Sequence, residues 1–130
     1  MSSQSRIATA LLSLRLSVFL VMLMWTLDKL WNPDHAARVY EHFYRIGGLG
    51  RTAFLVIGVA ELVLLVGFAL GYRKRLTYGA VFLFHAISTL SSYSQYLPPF
   101  ENLLFFAAWP MLAACFALYT LRDLDTKLTI

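Results

Sequence analysis

Residues 52–72 read TAFLVIGVAELVLLVGFALGY, an apolar run broken near its middle by Glu61. One crossing of a bilayer needs about 20 predominantly apolar residues, so this run reads as a membrane-spanning helix. An ionisable side chain at that depth costs roughly 2.5 to 3.5 kcal/mol or more unless it is paired, protonated or turned toward a polar cavity. Glu61 therefore needs a compensating group elsewhere in the chain.

Composition points the same way. The chain is 59% hydrophobic and 14% charged, with a mean hydropathy of +0.65, against about 45 to 50% and about 25% for soluble domains. The class implied is an integral membrane protein. At 130 residues the chain has room for one domain, and four spans nearly exhaust it. The net charge is +4, but the basic residues are scattered between apolar runs, which argues for topology signals and against nucleic acid. Cys115 is the single cysteine, so an intramolecular disulfide and a paired-cysteine redox motif are both excluded.

Outward from Glu61, four spans are expected at about 7–31, 52–72, 77–96 and 102–121. The first resembles a signal peptide only superficially, since Arg15 interrupts it and no small-residue cleavage site comes after it, so it is expected to stay attached. Asn32-Pro33-Asp34 breaks it, with Asp34 placed to cap the next helix. Residues 34–45 (DHAARVYEHFYR) are too polar to span, yet Val39 and Phe43 mark one side at helical spacing, as in a surface helix. Gly47, Gly48 and Gly50 supply the next turn. Arg73-Lys74-Arg75 separates the second and third spans, and Pro110 is expected to kink the fourth near its middle. The fold expected is an all-α, four-helix membrane bundle with an interfacial amphipathic helix between helices one and two.

Orientation follows the excess of Lys and Arg in cytoplasmic segments. Arg6, Arg73, Lys74, Arg75, Arg122 and Lys127 share one side with both termini. Both termini are therefore expected in the cytoplasm, with the protein in a bacterial-type inner membrane. The surface helix then lies on the outer face.

Two other spans carry an ionisable residue inside them, Arg15 in the first and His85 in the third. Counting from the cytoplasmic ends, Arg15 lies roughly 10 Å in, Glu61 roughly 16 Å and His85 roughly 12 Å. The three fall in one broad layer, and the reach of an arginine makes Arg15 with Glu61 the expected pair. His85 shares a helix face with Ser88, Ser92 and Tyr96, a polar stripe that either lines a ligand pocket or bonds to neighbouring helices. Polar residues in membrane helices also serve as packing contacts of about 0.6 to 2 kcal/mol each, which is the structural alternative for the whole layer. His35 and His42 share one face of the surface helix, where solvation at the interface is the simplest reading. No metal site is expected.

The stretches LLSLRLSVFLVMLMWTLDKLWNPD and VAELVLLVGFALGYRKRLTYGAVFLF resemble the DoxX-like family of small four-helix membrane proteins. The similarity runs from about Leu11 to Ser94 and rests on Arg15, Lys29, Glu61, Gly71 and the basic turn Arg73 to Arg75. It implies a small subunit of a larger membrane complex, or one linked to redox chemistry through a quinone. The chain has no complete catalytic constellation and no intrinsic cofactor is expected, although a quinone or a lipid fits an apolar slot with Glu61, His85, Arg15 and Tyr96 on its walls. The leading expectation is an accessory or structural subunit, partnered by the lipid bilayer and by other membrane subunits or a second copy of itself. A quinone-linked redox subunit is the alternative, and a small-solute transporter a weaker one.

Overall fold

The computed structural model describes residues 2–45, 47, 51–97 and 99–130. These are helical almost throughout, with no strand among the described residues. Helix α1 spans Ser3–Trp31, opened by the Ser2 hydroxyl, which accepts from the Ser5 N–H at 3.1 Å. It stops at Asn32, where Pro33 begins α2 (Pro33–Val39). Pro33 stands in the first turn, where the donor it lacks has no helical partner to lose. Asp34 is therefore inside that turn, and the capping position falls to Asn32. A single π-helical turn, Tyr40–Tyr44, continues α2 and ends at Arg45 in the left-handed region (φ 57°). The turn expected at Gly48 and Gly50 lies outside the described residues.

Helix α3 spans Arg51–Ala69 and α4 spans Lys74–Ser91. Gly71 turns the chain between them at φ +67°, and a Cβ there would stand 2.6 Å from Cγ2 of Thr129. Conformation and space both demand glycine at this turn. Helix α4 stops at Ser91, short of the expected Tyr96: the Ser92 N–H turns to the Thr89 carbonyl three residues back at 3.3 Å, and the chain restarts as the single turn α5 (Tyr93–Tyr96). A 3-10 stretch, Leu103–Ala107, leads into α6 (Ala108–Thr120). Pro110 lies in the first turn of α6, just after the winding changes from 3-10 to α within the stretch Leu103–Thr120, where the donor it lacks costs least. A 3-10 turn, Arg122–Leu124, begins the tail.

Three helical stretches are long and apolar enough to cross a membrane, Ser3–Trp31, Thr52–Ala69 and Leu103–Thr120. Helix α4 has comparable length but carries Lys74, Arg75, His85 and several hydroxyls. Helix α1 packs against α3 and α6, and α4 packs against α6 and α3. The shared core is Leu11, Val18, Leu65, Phe68, Tyr78, Val81, Cys115 and Leu118. Outside it the helices present large apolar side chains, among them Leu20, Val56, Val63, Leu83, Leu90 and Phe116.

Candidate functional site

Ala8, Leu11, Arg15 and Val18 recur at three- and four-residue spacing along α1 and are all buried, so Arg15 shares the packed stripe of its helix. Its side chain is fully enclosed, and Nη1 donates to Oδ1 of Asp125 at 2.7 Å, a residue equally shielded. The Tyr78 hydroxyl donates to Oδ2 of the same carboxylate at 2.5 Å. Nη2 donates to the Lys127 and Leu128 carbonyls at 2.6 and 3.2 Å, while Nε is buried with no hydrogen-bond partner among the described residues. The tail turns there because Leu128 adopts a left-handed conformation (φ 52°), which costs an L-residue roughly 1 to 2 kcal/mol. Further ties hold it down. Lys127 donates to the Thr9 hydroxyl at 2.6 Å, the Lys74 ammonium donates to the Asp125 carbonyl, and the Ile130 N–H donates to the Leu70 carbonyl at 2.9 Å.

Glu61 belongs to a second cluster. Lys29 Nζ lies 3.0 and 2.8 Å from its two oxygens, and the Thr26 hydroxyl donates to Oε2 at 3.1 Å. Thr26 and Lys29, three residues apart, lie on one face of α1. Gly58, one turn before Glu61 in α3, permits the close approach: a Cβ there would stand 2.6 Å from Cδ2 of Leu30. The pair is partly open, with side chains 13% and 21% exposed. The Lys29 ammonium also sits 5.5 Å from the centre of the Tyr40 ring, which packs edge-on against Phe54. Burial, then the negative charge of Glu61, pushes the Tyr40 phenol above its usual range. Nearby, Asp28 meets Nδ1 of His35 at 2.6 Å, and Trp25 stacks on the His35 ring. These contacts fasten α2 across the end of α1.

The third group is local. His85 Nε2 donates to the Ala108 carbonyl at 3.0 Å, joining α4 to the start of α6. Thr89 donates to the His85 carbonyl, Ser92 to that of Ser88, and Tyr96 to that of Thr89. Tyr96 also packs against Phe106 and Trp109. The Ser92 and Tyr96 hydroxyls of the stripe therefore bond to nearby backbone, and none of these contacts reaches Arg15 or Glu61.

The expected Arg15 to Glu61 pair is not formed, and the single polar layer divides into separate levels. Thr26 and Lys29 stand about 16 to 21 Å beyond Arg15 along α1 at its rise of 1.5 Å per residue. The tail packs along the first turns of α1, where Lys127 reaches Thr9, and so brings Asp125 to Arg15. Asp125, Tyr78, Thr26, Tyr40 and Thr89 join these clusters with no local signal in the sequence to mark them. Chemically, the Arg15 cluster is closed, its charge met by one carboxylate and two carbonyls. The Glu61 cluster is partly open and holds a carboxylate, an ammonium, a hydroxyl and a phenol together. Among the described residues, no three or more His, Cys, Asp and Glu side chains are grouped to hold a metal ion. Compared with family models, curated proteins and solved structures, the chain matches none.

Proposed function

We propose that the chain is an integral membrane protein of the DoxX-like kind, a four-helix membrane bundle that serves as an accessory or structural subunit of a larger membrane complex. In this reading α1, α3, α4 and α6 cross the bilayer and α2 lies on its outer surface. Both termini and the α3–α4 turn face the cytoplasm of a bacterial-type inner membrane, in keeping with the basic residues at that end. The observation that carries the reading is how the ionisable groups are used. Arg15 is spent on Asp125 and the tail, Glu61 on Lys29 and Thr26, and His85 on a backbone carbonyl. Each holds one segment of the chain to another, while the outward faces stay apolar.

The test is gentle extraction at native expression level followed by native mass spectrometry. A defined assembly larger than the chain, of fixed stoichiometry with other membrane subunits or with itself, is the expected result. A solitary monomer under those conditions contradicts it.

A quinone-linked redox subunit is the second reading, favoured by the partial exposure of Glu61 and Lys29 beside the Tyr40 ring. A quinone carbonyl needs a donor or proton carrier in an apolar setting, and this cluster has the right types. Quinone binding to wild type that weakens in Glu61→Gln supports it. No binding to either protein, alone or with its partners, removes it.

A further inference from the structure

Arg73, Lys74 and Arg75 at the α3–α4 turn and Arg122 at the start of the tail line one shallow open cleft, with Leu76 and Asp123. Sequence separates the two groups widely, and the docking of the tail brings them together. The cleft contains one acidic side chain, Asp123. The other acid of the tail, Asp125, is turned inward and fully buried against Arg15, so Asp123 alone offsets the basic side chains of the cleft.

Lys74 is spent on the Asp125 carbonyl, and the three arginines keep free donors. Arg73 donates through Nε to the Tyr72 hydroxyl and lies 5.6 Å from that ring. Arg122 donates through Nη1 to the Tyr119 carbonyl and lies 4.5 Å from the Tyr119 ring. In both, the rest of the guanidinium fork keeps free donors. Arg75 is exposed and makes no side-chain hydrogen bond among the described residues. Helix α4 begins at the same place with no side-chain cap, its Arg73 neighbour in the left-handed region at φ 46°, so the positive end of its dipole adds to the field. Leu76 and Leu121 flank the basic groups and are 64% and 40% exposed. Cations and a helix end beside exposed apolar side chains match a phosphate joined to an acyl chain.

We propose that this cleft binds the phosphate headgroup of an anionic phospholipid from the cytoplasmic leaflet, its acyl chains lying along Leu76 and Leu121. The inference rests on the membrane reading above. Arginine forks suit phosphate oxygens geometrically, and basic pockets on the cytoplasmic side of membrane helices are where anionic headgroups are held.

The test uses the full chain in nanodiscs of mixed phosphatidylcholine and phosphatidylglycerol, with native mass spectrometry of the lipids retained on release. Wild type is expected to retain phosphatidylglycerol preferentially, and Arg75→Gln with Arg122→Gln to lose that preference by on the order of five-fold per charge removed. Arg6→Gln with Arg38→Gln removes the same charge away from the cleft and is expected to keep it. Equal loss in both double variants overturns the proposal, because it leaves only general charge attraction. Displacement of the retained lipid by inorganic phosphate also overturns it in favour of a free-phosphate site. A chain that fails to enter nanodiscs of phosphatidylcholine alone overturns the membrane reading itself. One that enters them and shows no preference in the mixture overturns only the lipid site.

Discussion

Arg15 and Asp125, 110 positions apart in the chain, meet at 2.7 Å with neither side chain exposed. A tail that reads as polar is thereby pinned into the core beside Tyr78. Removing one partner of a buried pair strands the other, typically at about 3 to 5 kcal/mol. Asp125→Asn is expected to lower stability by about that amount, measured by denaturant unfolding in detergent. It should also expose the Leu124 to Lys127 segment to limited proteolysis. Arg15→Met combined with Asp125→Leu should recover part of the loss and not all, because the Lys127 and Leu128 carbonyls still lose their donor.

Glu61→Gln should be milder. The Lys29 pair is partly open, so the cost falls between those of exposed and buried pairs, about 1 to 2 kcal/mol. The same unfolding measurement checks it, and a loss as large as that of Asp125→Asn goes against the ranking of the two clusters.

The Tyr40 phenol is raised above its ordinary value by burial and then by the charge of Glu61. A raised folded value favours the protonated form, so this contribution to stability is complete below about pH 10, the ordinary phenol value, and is lost as pH climbs through the raised one. Tyr40→Phe should therefore lose less stability than wild type above about pH 10. Carbon-13 NMR of labelled tyrosine should show the Tyr40 ionisation moving down in Glu61→Gln. No movement means that Glu61 does not act on Tyr40.

Gly58→Ala places a Cβ against Leu30 and is expected to cost about 1 to 3 kcal/mol by overpacking. Leu30→Ala should relieve the clash, so that the double variant is more stable than the two single losses add up to. Strict additivity in thermal unfolding rules out the contact as the cause.

Much of this architecture is legible in the apolar runs. Residues 8, 11, 15 and 18 form the buried stripe of α1, but that helix is apolar on every side, so the inward direction of Arg15 emerges only from the packing. Its partner is no more legible, because nothing local in Arg122 to Ile130 marks Asp125 as buried and the contact is set by the return of the tail. Topology holds the missing signal: Asp123 and Asp125 are the acids on the same side as Arg15, whereas Lys29 is the cation near the far end of α1, within reach of Glu61. The polar stripe of α4 is visible too. Its hydroxyls, however, turn to carbonyls of their own segment, a choice that periodicity does not reveal.

Two double-mutant cycles in lipid nanodiscs decide between separate pairs and one shared layer. Arg15 with Asp125 is expected to couple by about 2 kcal/mol or more, and Arg15 with Glu61 to be additive within about 0.5 kcal/mol. Strong coupling of Arg15 to Glu61, with none to Asp125, contradicts the division of these charges between a tail anchor and a separate cluster at the far end of α1.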